Sequence, residues 1–195
     1  MKRTATLVLA VLAIALTSAH ASTWTVDKNH SKIGFTVKHL TISTVRGEFK
    51  TYDATITYDP AKPEDLSFDA TMDVNSISTE NEKRDGHLKS PDFFDAANFP
   101  TATFKSKKTE KIDDGHLKVT GDLTIRGTTK EIVLDVQGLN QFVNTQQGRR
   151  TAAVATATIN RFDYGLKWNA AIETGGLVAD NMVNLVIEVE LVESK

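Results

Sequence analysis

Apolar and polar residues alternate one by one along much of this chain, and no other feature restricts its fold as strongly. Between residues 32 and 40, Ile33, Phe35 and Val37 are separated by glycine or polar residues. The same pattern recurs over residues 67–74, 118–125 and 183–191. A period of two places successive side chains on opposite faces of a strand. The pattern therefore predicts antiparallel strands with one buried and one solvated face.

Turn signals divide these strands and indicate their number. Residues 59–63 and 113–115 contain the Asp, Gly and Pro residues that favour tight turns, and abundant Thr, Val and Ile favour strands between them. About eight strands are predicted from nine ranges: 24–27, 31–40, 45–58, 66–77, 101–112, 116–126, 130–140, 150–163 and 182–192. The first range, 24–27, is counted as an extension and not as a separate strand. Long strands joined by short links indicate an all-β barrel or sandwich.

The segment 79–98 departs from the strand pattern. It contains a charged stretch that favours one short helix, with Thr79 as the predicted N-cap and Glu82 as its capping-box partner. Three aromatic residues follow the helical stretch: Phe93, Phe94 and Phe99. This segment is predicted to be either a helical flap over one end of a barrel or an ordinary crossover whose phenylalanines fill the core.

The first residues have the features of a secretory signal peptide. The basic pair Lys2-Arg3 precedes an apolar run over residues 5–16, and Ala19-His20-Ala21 supplies a small-residue cleavage site. The run is shorter than the roughly 20 residues that a membrane span needs, so no transmembrane segment is predicted. We expect cleavage after Ala21, which gives residues 1–21 as the signal peptide and residues 22–195 as one domain. The predicted location is the periplasm, and release outside the cell is the alternative that the sequence leaves open.

Composition and motifs exclude several classes of function. The net charge of −2 lacks the basic excess of a nucleic-acid-binding protein. The absence of cysteine excludes disulfides, thiolate metal sites and cysteine nucleophiles. The chain has no nucleophile-elbow or phosphate-loop motif, and its histidines lack metal-ligand spacing. We therefore predict no catalytic residue, no metal and no cofactor.

Short motifs spread over the whole mature chain resemble one known family. They are Trp24-Thr25-Val26-Asp27, His30-Ser31, residues 35–40, Val45-Arg46-Gly47-Glu48-Phe49, Ser76-Ile77-Ser78-Thr79, residues 84–95, Phe99-Pro100, Thr103-Phe104-Lys105-Ser106, residues 121–127 and residues 160–165. In this order they resemble the YceI-like family of exported polyisoprenoid-binding proteins. The resemblance implies a lipocalin-like extended antiparallel β-barrel with an apolar tunnel for an isoprenoid or similar lipid tail.

The resemblance also nominates residues for a lipid site. The inward-facing candidates for the tunnel are Phe35, Val37, Phe49, Phe68, Met72, Phe104, Leu123, Ile125, Leu185 and Ile187. Alternation alone leaves open whether these side chains line a cavity or interdigitate as a filled core, and without the resemblance it favours the filled core. Polar candidates for the tunnel mouth are Arg84, Asp85, His87 and Arg161, with a structural network that fixes the flap as the alternative.

The implied function is a non-enzymatic carrier, storage or scavenging protein for a polyisoprenoid or another long-chain amphiphile. The alternative is an enzyme that acts on a lipid-like substrate inside the barrel, suggested by His39 and the group Arg84, Asp85 and His87. A purely structural module is a third interpretation, which a solid interior would favour. Long strands have edges that can pair, which allows a homodimer.

Overall fold

The structure is a computed structural model that describes residues 22–170 and 177–194. The predicted signal peptide, residues 1–21, lies outside the described residues. The strands are β1 (Ser22–Val26), β2 (Lys32–His39), β3 (Ser43–Phe49), β4 (Tyr52–Asp59), β5 (Lys62–Asp73), β6 (Ile77–Ser78), β7 (Thr101–Asp113), β8 (His116–Ile125), β9 (Thr128–Gly138), β10 (Val143–Thr145), β11 (Gly148–Asn160) and β12 (Ala179–Glu193). One α-helix, α1 (Glu82–Lys89), and two 3-10 helices, Val74–Ser76 and Arg161–Tyr164, complete the described elements.

Antiparallel pairing closes these strands into a barrel. Along one edge of β12, the segment 179–188 pairs with β2 and the segment 191–193 pairs with β1, so β1 and β2 act as one interrupted strand. In the same way, β3 and β4 pair with β2 and β1, and β6 and β5 pair with β3 and β4. The ring continues through β7, β8, β9 and β11, which pairs along the other edge of β12. The predicted eight-stranded antiparallel barrel is thereby confirmed.

Three neighbouring strands are interrupted at about the same level of the barrel. The predicted strand 45–58 is divided between β3 and β4 at Lys50 and Thr51. Beside it, the 3-10 helix Val74–Ser76 separates β5 from β6, and the backbone N–H of Lys50 donates to the carbonyl of Ser76 at 3.2 Å. Alternation persists on both sides of such a break, so sequence periodicity does not reveal it.

The two ends of the barrel are packed differently. At the end formed by β1 and the first half of β8, Trp24, Leu117 and Val119 are at most 2% exposed. The indole N–H of Trp24 donates to the carbonyl of Tyr58 at 3.1 Å, which satisfies the buried nitrogen. At the opposite end, the inward-facing side chains of β2, β3 and β12 are only partly buried. The barrel is therefore solid at one end and hollow toward the other.

Helix α1 lies at the hollow end and has no buried residue. Its one large apolar side chain, Leu88, is partly buried and lines the cavity. Its N-cap is Asn81, whose side-chain oxygen accepts from the N–H of Arg84 at 3.0 Å. The prediction of Thr79 as the N-cap is wrong, because the Thr79 hydroxyl and N–H both donate to the carboxylate of Asp85. No helix in the described ranges is long and apolar enough to cross a bilayer.

Candidate functional site

A cavity of about 640 Å³ occupies the hollow part of the barrel. Its wall is almost entirely apolar and receives side chains from strands all around the ring. All ten of the predicted tunnel residues line it: Phe35, Val37, Phe49, Phe68, Met72, Phe104, Leu123, Ile125, Leu185 and Ile187. Its volume lies within the range of ligand pockets, which is about 300–1,000 Å³.

Two glycines help to keep the centre of the barrel open. A Cβ atom on Gly47 would lie 2.3 Å from Cζ of Phe35, its register partner on β2. A Cβ atom on Gly121 would lie 2.3 Å from Cζ of Phe104 on the neighbouring strand β7. Each ring therefore lies across the bare backbone of a glycine, against the barrel wall. A larger residue at Gly47 would displace the Phe35 ring toward the cavity. At Gly121 the added Cβ would also lie 2.6 Å from the carbonyl oxygen of Lys105, so the backbone would have to shift as well.

The exposed residues among those that line the cavity show where it opens. They are Lys38, Asn81, Lys83 and Arg84, and they belong to the end of β2 and to the start of α1. His39, at the last position of β2, also lines the cavity and is partly buried. The mouth of the cavity therefore lies between α1 and the end of β2.

Two of the four predicted mouth residues hold the chain before α1. The Arg84 guanidinium donates from Nε to the Thr79 hydroxyl at 2.7 Å and from Nη2 to the Thr79 carbonyl at 2.8 Å. The Asp85 carboxylate accepts from the same threonine, with the backbone N–H at 2.8 Å. Arg84 lines the cavity, whereas Asp85 is not among the described lining residues. This geometry matches the structural alternative, in which an Arg and Asp network fixes the flap.

His87 lies on the inner side of α1, where it contacts two aromatic rings and remains 39% exposed. Its Nε2 is 2.9 Å from a carboxylate oxygen of Asp92. The imidazole packs edge-on against Phe93 and Trp168, with ring centroids 5.0 and 4.9 Å away. Phe93 and Phe94 are buried and line the cavity, so these phenylalanines anchor the flap and also form part of the wall.

Arg161 is a buried cation that binds backbone carbonyls. Its guanidinium donates to the carbonyl oxygens of Leu166, Trp168, Ala179 and Asp180 at 2.5 to 2.9 Å, and the residue is 5% exposed. Burial lowers the pKa of Arg161 because the charged form loses hydration. The side chain thus ties the segment after the second 3-10 helix to the start of β12, beside the mouth.

Two tyrosines with buried hydroxyl groups contribute to the cavity wall. They are Tyr52 and Tyr164, and neither hydroxyl oxygen has a hydrogen-bond partner among the described residues. Burial raises the pKa of Tyr164 to about 12, so its phenol is neutral and can donate a hydrogen bond. A ligand oxygen in the cavity would satisfy such a group.

Outside the barrel, three possible metal ligands come together around an arginine. Among residues 22–170 and 177–194, atoms of Asp27, His30 and Glu190 lie within 4.8 Å of one another. The Arg150 guanidinium donates to Asp27 at 2.7 Å and also to Glu190. This contact holds the pKa of Asp27 at about 2. The Arg150 cation already binds both carboxylates, so the cluster connects β11, β12 and the turn after β1.

Sequence reasoning missed several residues of the mouth. Alternation along β2 assigns Lys38 to the outer face of the strand. Lys38 nevertheless lines the cavity, because it lies near the end of the strand, where the barrel wall opens. Lys83 is on a helix that the sequence placed correctly without indicating which side faces the barrel. Trp168 follows the second 3-10 helix in a segment without periodicity, so only its contact with His87 reveals its position.

The sequence and fold comparisons now identify the family. The YceI-like domain matches residues 24–191. The chain belongs to the YceI-like family. A UPF0312 protein of Staphylococcus aureus (strain N315) is 40% identical over 156 residues, which cover 80% of this chain and 88% of that protein.

Two solved structures show how widely the YceI-like barrel is shared. BcnA of Burkholderia cenocepacia is similar with a TM-score of 0.73 and 25% identity, over 85% of this chain and 98% of that one. A polyisoprenoid binding domain from Saccharophagus degradans has a TM-score of 0.62 and 20% identity, over 88% and 98% of the two chains. The latter comparison shows a common fold.

Proposed function

We propose that this protein is an exported, non-enzymatic binding protein that holds polyisoprenoids or similar long-chain amphiphiles in the barrel cavity. The observation that carries the proposal is the apolar cavity of about 640 Å³ with a single described mouth, lined by aromatic and aliphatic side chains. The fold shared with the polyisoprenoid binding domain of S. degradans supports the same class of ligand.

The cavity is large enough for a lipid tail to bind usefully. At roughly 30 Å³ per water-sized group, it holds on the order of twenty methylene-sized groups. Burying twenty methylenes at about 0.8 kcal/mol each provides roughly 16 kcal/mol before costs. Immobilising and ordering the ligand costs about 4–15 kcal/mol, so net binding requires most of the cavity to be filled. Because apolar contact is non-directional, tails of similar length and width are expected to compete.

Extraction of the protein tests this proposal. The mature chain, residues 22–195, is purified, denatured and extracted, and the extract is examined by mass spectrometry for long-chain lipids. A delipidated sample is then titrated with geranylgeraniol and followed by tryptophan fluorescence, which comes from Trp168 at the mouth and from the buried Trp24. We expect a stoichiometric lipid in the extract, or saturable binding in the titration. An empty extract together with no binding of added isoprenoids would contradict the proposal.

Absence of catalysis is a separate part of the proposal. The His87 imidazole is paired with Asp92 and packed between aromatic rings, which suits a structural role in the flap. Lipid incubated with the protein is expected to be recovered unchanged. Turnover that His87→Ala abolishes, in a variant that still folds and retains lipid, would instead establish the enzyme alternative.

Export to the periplasm is the remaining part, and it rests on the basic, apolar and small-residue regions of residues 1–21. In a bacterium that secretes through such signals, cell fractionation should recover the protein outside the inner membrane. Its N-terminus should be Ser22. Recovery with an intact Lys2-Arg3 sequence would exclude cleavage after Ala21.

A further inference from the structure

Among the described residues, the charged side chains that line the cavity all have the same sign. No Asp or Glu is among the described residues that line it, whereas six lining residues are basic: Lys38, His39, Lys83, Arg84, His87 and Arg161. Over the whole sequence acidic residues slightly outnumber Lys and Arg, by 25 to 23. The rim of basic residues is therefore a local feature of the mouth and does not follow from the composition.

Four of these basic residues lie at the mouth, and they differ in how many of their hydrogen-bond donors are already bound within the protein. Arg161 is occupied by four backbone carbonyls, and Arg84 is partly occupied by Thr79. Within the described ranges, the ammonium groups of Lys38 and Lys83 take part in no hydrogen bond or salt bridge, and both residues are exposed. These two lysines are the cations that remain available at the mouth.

The acidic residues near α1 do not neutralise this rim. The Asp85 carboxylate is bound by Thr79, and the Asp92 carboxylate lies against His87. Glu80, just before α1, and Glu82, in its first turn, are exposed, and neither lines the cavity. Asp180 acts on the buried Arg161 and does not line the cavity either. A ligand head group at the mouth would therefore meet ammonium groups first.

An ammonium at the edge of an apolar cavity favours a particular kind of head group. A lysine extends its methylene stem along apolar surface and keeps its charge in water. A phosphate monoester carries about −1.5 to −2 charges at neutral pH, and its hydrogen bonds with an ammonium are shorter and stronger than those between neutral groups. A hydroxyl head group lacks this charge and would gain much less from the same two lysines.

We propose that the mouth selects long-chain lipids whose head group is anionic, a phosphate or a carboxylate, and that Lys38 and Lys83 bind this group. The proposal rests on the proposed function, since the head group reaches these lysines only when the tail fills the cavity. It specifies the class of lipid beyond the requirement for a long apolar tail.

Two probes with the same tail test the proposal. Geranylgeranyl phosphate and geranylgeraniol are titrated into the delipidated protein at low and high salt. We expect the phosphate to bind at least tenfold more tightly at low salt, and this preference to shrink as salt screens the charges. The double variant K38Q/K83Q should bring the ratio of the two affinities close to one. The matched variant K111Q/K130Q removes two exposed lysines that do not line the cavity, so it should retain the wild-type ratio.

The outcomes separate the two proposals. Equal binding of both probes to the wild-type protein would overturn head-group selection and leave lipid binding intact. Binding of neither probe would overturn the proposed function itself. Displacement of geranylgeranyl phosphate by millimolar inorganic phosphate would point to a free-phosphate site and overturn selection of a lipid head group. The salt dependence of the wild-type ratio decides the question even if the double variant does not fold.

Discussion

Ala155 offers a direct test of whether the cavity holds the lipid tail. It lies on β11 between Val136 of β9 and Ile187 of β12, lines the cavity and is 8% exposed. The substitution Ala155→Phe adds a ring of six carbons that points into the cavity and displaces about six methylenes of a bound tail. The strands themselves need not move, because the ring enters space that is empty in the structure.

The expected size of the effect follows from the displaced apolar contact. At about 0.8 kcal/mol per methylene, six methylenes contribute roughly 5 kcal/mol to binding. Since about 1.4 kcal/mol corresponds to a tenfold change in affinity, the loss has an upper limit of roughly three orders of magnitude. A tail can shift partly around the new ring, so we expect binding about 100-fold weaker. The lipid-free protein should be as stable as the wild type or slightly more stable, because the ring gains contacts with the cavity wall.

The matched control is Ala152→Phe, which makes the same chemical change on the exposed outer face of β11. Both variants and the wild type are delipidated, titrated with geranylgeraniol and unfolded in urea. Ala152→Phe should bind like the wild type. If a folded Ala155→Phe protein binds geranylgeraniol as tightly as Ala152→Phe, the tail does not occupy this cavity and the reasoning fails.

Three further predictions concern stability, each measured by urea or acid unfolding of the lipid-free protein. Arg161→Met leaves four carbonyls without their donor, so we expect a loss of about 3 kcal/mol, with Arg161→Lys intermediate; a loss below about 1 kcal/mol contradicts this. The pKa of Asp27 is lowered from 3.8 to about 2 by Arg150, so its contribution to stability is present above about pH 4 and is lost as pH falls toward 2. Asp27→Asn should flatten this acid dependence, and an unchanged profile argues against the assignment. Tyr164→Phe removes a buried hydroxyl without a described partner, which should stabilise the protein by about 1 kcal/mol; reduced stability would indicate an unseen partner for the hydroxyl.

Local patterns were sufficient to predict most of the architecture. Alternation over residues 32–40 and 183–191 indicated β2 and β12 and identified their inward faces, because strand geometry repeats every two residues. The same alternation selected ten side chains, all of which are among those that line the cavity. The segment 79–98 was also correctly assigned a helix. The N-cap of that helix was not, since Thr79 and Asn81 are both good capping residues and only the contact with Asp85 distinguishes them.

The open interior and the mouth required the tertiary structure. Whether Phe35 and Phe104 fill the barrel or lie against its wall depends on Gly47 and Gly121, which are neighbours of these rings only through strand pairing. The sign of the charges at the mouth likewise depends on where α1 lies relative to the end of β2. Sequence patterns were enough for the strands, their inward faces and the helix, because each of these is a short-range property. The enclosed space and the two lysines at its entrance follow from tertiary packing, because both depend on residues far apart in the chain.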